Sequence, residues 1–172
     1  MRLRYSITLG TAAALGSVPV LAADLQLKLD LPRLAVAEYH RPYVAMWIEK
    51  PDQSLAANLA VWYDLKKRND EGSKWLKDLR TWWRKAGREM TAADGLTAAT
   101  HAAGEQTVGF APAKAALDKL PPGDYLLAVE AAREAGGREV VKVPFSWPAK
   151  APTTTSAKGE SELGAVSVTV TP

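Results

Sequence analysis

Two stretches of strict alternation constrain this chain most: Asp24-Leu25-Gln26-Leu27-Lys28-Leu29-Asp30-Leu31, and Ala165-Val166-Ser167-Val168-Thr169-Val170 near the other end. A period of two sends every apolar side chain to one face, a pattern that only a half-buried β-strand can use. Between them, Tyr43-Val44-Ala45-Met46-Trp47-Ile48-Glu49 is rich in β-branched and aromatic residues and apolar on both sides, so it predicts a strand covered on both faces. Turn residues at 50–54 bring the chain back as a second strand over 58–65, which makes an antiparallel hairpin. Residues 106–110 read as a short strand and 114–120 as a turn of helix. Pro121-Pro122-Gly123-Asp124 then turns the chain into a strand at 125–130, and Ala135-Gly136-Gly137 reverses it into another at 138–147. Residues 148–160, with Thr153-Thr154-Thr155-Ser156, read as a low-complexity surface loop. Some seven short strands and one inserted helix predict a mainly β fold: a single immunoglobulin-like antiparallel β-sandwich over residues 23–172, with Tyr125 as a structural tyrosine of the sandwich.

The inserted helix is expected to begin after Ser73 as N-cap and to end at Gly87. At 100° per residue, Trp75, Leu76, Leu79, Trp82 and Trp83 share an arc of roughly 120°, while Lys74, Lys77, Arg80, Arg84, Lys85 and Arg88 lie outside it. The aromatic face is read as packing on the sheet and completing the sandwich core, and the basic face as solvated. The charged run at residues 66–72 is read as a solvated loop.

Arg2 and Arg4 precede an apolar run and then the small residues Ala22 and Ala23, the layout of a cleaved signal peptide over residues 1–22. Periplasmic localisation is therefore expected, and Cys is absent from the expected cleavage point, which argues against a lipoprotein anchor. No later stretch is apolar and long enough to predict a transmembrane segment. With the leader removed, 20 Lys and Arg face 19 Asp and Glu, a near-neutral balance that does not support nucleic acid as a partner. The chain has no cysteine and two histidines, His40 and His101, which argues against disulfides and a structural zinc site. Gly-x-Ser-x-Gly, His-Glu-x-x-His and paired-carboxylate spacings are missing, so no catalytic site is predicted.

The order of Tyr43-Val44-Ala45-Met46-Trp47-Ile48-Glu49, the strand through Leu59 and Trp62, the Trp75 to Arg84 helix, Pro121-Pro122-Gly123-Asp124-Tyr125 and Arg138-Glu139-Val140-Val141 resembles the DUF2271 family of predicted periplasmic proteins. Residues 121–147 also resemble the immunoglobulin-like module of flagellar hook-capping proteins. Within the chain, Asp94-Gly95-Leu96-Thr97-Ala98-Ala99-Thr100 resembles the acceptor motif of flavin transferases of the ApbE type, with Ala98 in place of the usual Gly or Ser. That resemblance implies covalent FMN on Thr100, recognition through Asp94 and Thr97, and a transferase that supplies FAD and Mg²⁺.

The residues themselves suit such a role. A threonine hydroxyl is a weak nucleophile near neutral pH and needs a base and metal, which would belong to the transferase. Gly95 offers a permissive turn, and Ala98 and Ala99 add no bulk beside the hydroxyl. Trp82, Trp83 and Arg84, with Trp75, Lys85 and Arg88, are the nearest groups in sequence for stacking on an isoalloxazine and countering negative charge. The expectation is a non-catalytic electron carrier serving a membrane redox protein. The alternative is a cofactor-free binding or accessory module that acts through protein contacts on the helix face or a sheet edge.

Overall fold

A computed structural model describes residues 23–90 and 95–172. The expected signal peptide and Asp94 lie outside the described residues. Among the described residues nine strands form: β1 (Asp24–Leu31), β2 (Tyr43–Glu49), β3 (Leu55–Tyr63), β4 (Thr97–Ala99), β5 (Gly104–Gly109), β6 (Gly123–Ala132), β7 (Arg138–Trp147), β8 (Thr153–Lys158) and β9 (Ala165–Thr171). They divide into a four-stranded sheet, in the order β5-β1-β9-β8, and a five-stranded sheet, β4-β3-β2-β6-β7. Every pairing is antiparallel except β3 with β4, where Val61, Trp62 and Tyr63 run parallel to Thr97, Ala98 and Ala99.

The alternating strands behave as their sequences require. Leu25, Leu27, Leu29 and Leu31 of β1 and Val166, Val168 and Val170 of β9 all point inward, between the sheets. They meet Val44, Met46 and Ile48 of β2 and Leu127, Val129 and Ala131 of β6 in the main core. The hairpins β2–β3 and β6–β7, joined by β2–β6 pairing, reproduce the C′-C-F-G side of a variable-type immunoglobulin sandwich. Tyr125, near the start of β6, donates its hydroxyl to the Pro121 carbonyl at 2.7 Å, the tyrosine corner of such sandwiches. The opposite sheet is built differently, since β9 from the far end of the sequence takes the place beside β1.

β2 is covered on both faces, as its composition demands. Its second face, with Ala45 and Trp47, forms a separate outer core with Val61, Tyr63, Ala128 and Ala132, capped by Leu76, Leu79 and Trp82 of the inserted segment. The segment therefore does not complete the sandwich core; it straps the outside of the five-stranded sheet. Nor is it one α-helix. Tight 3-10 turns run over Arg68–Asp78, a single α-turn over Arg80–Trp82 and a π-turn over Trp83–Gly87. Asn69 and Asp70 are left-handed, and Leu79 leaves helical geometry with ψ of 66°. Ser73 is not a cap: its hydroxyl donates to the Asp70 carbonyl at 2.8 Å. Losing the α-helical phase turns Trp75 outward, and it stays 42% exposed although the 3.6-residue period places it on the packed face.

Residues 153–158, expected in a loop, are strand β8. This strand pairs only with β9 and has no fully buried side chain, so it lacks the apolar alternation that would announce it.

Candidate functional site

β2 starts, β3 ends and β6 ends at the same edge of the molecule, because β2 runs antiparallel to both neighbours. The connections there enclose a cavity of about 340 Å³. Tyr39, His40 and Arg41 precede β2, Tyr43 opens it, Asp64, Lys66 and Lys67 follow β3, and Ala132, Arg133 and Glu134 end β6. Trp75 and Asp78 arrive from the strap, and Ala99 and Thr100 from the end of β4. Aromatic faces and charges of both signs thus surround a space in the lower range of small-ligand pockets.

Several of these charges hold one another. Lys67 Nζ lies 3.2 Å from Glu134 and 5.9 Å from the centre of the Trp75 ring. His40 stands 3.3 Å from Glu38 and 3.9 Å from Glu134. Arg133 turns away into a buried pair with Glu162, with contacts of 3.0 and 3.1 Å. Arg41 and Lys66 are in no ion pair among the described residues. The Tyr43 hydroxyl is buried and, among the described residues, has no partner meeting hydrogen-bond geometry. Burial pushes its pKa up, and the Asp64 backbone opposes this only in part.

Of the residues singled out in the sequence, Thr100 lies half-buried on the cavity wall. Gly95 has φ of +66°, the left-handed region glycine favours, and open space where a Cβ would stand. Thr97 pairs with Val61 and lines a neighbouring slot of about 270 Å³ with Leu96, Trp62 and His101. The His101 ring stacks on Trp62 at 4.0 Å between centroids.

The structure does not bring Trp82, Trp83 and Arg84 to Thr100. Trp82 is fully buried, and its indole N–H donates to Asn58 at 2.9 Å. Asn58 sits five residues before Tyr63 on β3, roughly 16 Å along the strand. Trp83 is half-buried against the outer core, and Arg84 is exposed; neither lines the cavity. Sequence reading missed Tyr39, Arg41, Tyr43, Lys66 and Lys67; Tyr43 fell in a strand and Lys66 and Lys67 in a solvated loop. The signal on hand was a tyrosine, Tyr39, two residues from Arg41 in the stretch that leads into β2.

Two buried carboxylates fix the strap to the sheet, Glu130 near this edge and Glu49 at the far end of β2. Glu130 of β6 accepts the backbone N–H of Thr81 and Trp82 at 3.0 and 2.8 Å and pairs with Arg138 at 2.8 Å. Glu49 of β2 accepts from Trp47 Nε1 at 2.8 Å and meets Lys142 at 2.7 Å and Lys85 at 3.2 Å. Burial alone would raise the Glu49 carboxyl, yet the hydrogen bonds from Lys142, Trp47 and Lys85 outweigh it and hold the group below the usual carboxylate range.

The family described as "Predicted periplasmic protein (DUF2271)" matches residues 24–165, from the first strand to the start of the last. The chain belongs to the DUF2271 family. Comparison with curated proteins and with solved structures gives no match. The family's description agrees with the periplasmic location expected for this chain and assigns no activity to a DUF2271 protein. No helix among the described residues is long and apolar enough to cross a membrane.

Proposed function

We propose that this DUF2271 protein carries FMN covalently on Thr100 and passes electrons to a membrane redox partner outside the cytoplasm. The observation that carries the reading is the position of Thr100 on the wall of the cavity shared with the exposed indole of Trp75. In the transfer reaction the Thr100 oxygen attacks the FMN phosphorus of FAD, the pyrophosphate bond breaks and AMP leaves. The hydroxyl proton passes to a base of the transferase, and one phosphoester bond remains.

The surrounding residues fit such a group. Trp75 and Tyr39 offer rings for an isoalloxazine, Arg41 and Lys66 offer positive charge to its phosphate or to a reduced anionic ring, and the Tyr43 hydroxyl lacks a partner among the described residues. β4 is an edge strand of three residues, held by one neighbour and preceded by a left-handed glycine, so releasing it into a transferase cleft breaks few hydrogen bonds. When bound, flavin supplies the redox chemistry; the chain's own residues seat the ring and balance its charge.

Intact-mass measurement after co-expression with a flavin transferase tests the reading. The expected result is a gain of one FMN less one water, lost in Thr100→Ala. No gain, or a gain that survives the substitution, overturns it.

A further inference from the structure

The strap, taken as residues 66–88, contains nine Lys and Arg but only Asp70, Glu71 and Asp78 as acids. The rest of residues 23–172 holds eleven cations and sixteen acids. A near-neutral chain is thus strongly divided, with about six positive charges concentrated on the outer face of the five-stranded sheet. The acids beneath the strap do not cancel this excess, because Glu49 and Glu130 are matched by Lys142 and Arg138 of β7. Lys67, Lys74 and Lys85 of the strap are in ion pairs. Lys66, Arg68, Lys77, Arg80, Arg84 and Arg88 are exposed and in no ion pair among the described residues.

From this division we infer that the strap is a docking face for an acidic surface on a partner protein. Charge complementarity selects the partner's chemistry: an exposed array of guanidinium and ammonium groups favours carboxylates and repels other basic proteins. A lipid surface fits less well. Amphipathic segments bind membranes by inserting their apolar face, and here Leu76, Leu79 and Trp82 are at most 7% exposed because the sheet already takes that face. Single-stranded nucleic acid favours rows of open aromatic rings, and of the strap's three indoles Trp82 is buried, Trp83 half-buried and only Trp75 open. What remains is an electrostatic surface of the kind that steers brief protein encounters, and it reaches the cavity mouth through Lys66 and Trp75. The inference concerns the unmodified protein and holds whether or not Thr100 carries flavin.

Binding of the mature Thr100→Ala protein to a polyglutamate peptide, to phosphatidylglycerol vesicles and to DNA is measured at low and at physiological ionic strength. The expected result is salt-sensitive binding to the peptide in preference to the other two probes. Reversing Arg80, Arg84 and Arg88 to Glu weakens it by roughly tenfold or more. Reversing Lys119, Lys150 and Lys158, which lie outside the strap, changes it little at the same cost in net charge. Preference for vesicles or DNA, equal loss in both triple variants, or no binding overturns the inference. Should the strap variant unfold, the single changes Arg84→Glu and Arg88→Glu, at exposed side chains, give the same comparison.

Discussion

Tyr43 and Gly87 show how much one atom decides in the outer layer. The Tyr43 hydroxyl is buried without a well-formed hydrogen bond among the described residues, a desolvation cost that phenylalanine would not bear. Tyr43→Phe is expected to leave the unmodified protein as stable as before, or more stable by about 1 kcal/mol, in a urea titration. Gly87 presents the opposite case. A Cβ there would stand 2.6 Å from Trp83 Cε3 and 2.7 Å from Trp82 Cζ3, and Trp82 is fully buried and fixed by Asn58. Alanine normally gains about 1 kcal/mol over glycine inside a helix, but overpacking costs about 1–3 kcal/mol. Gly87→Ala is therefore expected to lower stability by about 1 kcal/mol, read as a reduced urea midpoint with an unchanged slope. The sequence pattern placed Gly87 as a helix terminator; its structural reason is the approach of two indoles.

The strap is attached to the sheet mainly at three buried side chains and two carboxylates, and its legibility was uneven. Leu76, Leu79 and Trp82 were readable as an inward face, because apolar spacing survives an irregular backbone. Trp75 was not, since the phase is broken at Leu79, and no local residue pattern encodes that break. Glu49 and Glu130 were equally hidden: their partners Lys85, Lys142, Arg138 and the Thr81 amide come from other elements, and a strand's own sequence does not show them. Glu130→Gln is expected to destabilise the protein by about 2–3 kcal/mol, the usual loss when hydrogen bonds to a charged acceptor are broken, and to speed amide exchange at Thr81 and Trp82. Protons act on the same attachment. Glu49 has a folded-state pKa below its unfolded value, so its ionised form stabilises the fold above that value. The contribution disappears as pH falls through the lower, folded value. Glu139, which accepts backbone N–H groups from Glu160, Ser161, Glu162 and Leu163 and is likewise held low against burial, carries the same sign. Thermal melts should therefore drop from neutral pH toward about pH 3, and Glu49→Gln should flatten that dependence.

At the scale of the molecule, alternation in β1 and β9 and two-faced burial in β2 made the sandwich readable, while of the residues lining the cavity the sequence singled out Thr100 and Trp75. The cavity is assembled from connections whose residues look like ordinary polar loop in isolation, and only antiparallel pairing of β2 with β3 and β6 gathers them. The pairing of β9 carries one more consequence. Asp24 lies opposite Thr171, and β9 occupies an interior place between β1 and β8. Deleting residues 165–172 should abolish the cooperative thermal transition, since it removes Val166, Val168 and Val170 from the core, leaves β8 without its partner and leaves β1 paired with β5 alone. Strand order thereby sets a sequence of events for one sheet: β1 and β8 have no strand between them until residues 165–171 have been made, whereas the five-stranded sheet contains no residue beyond Trp147.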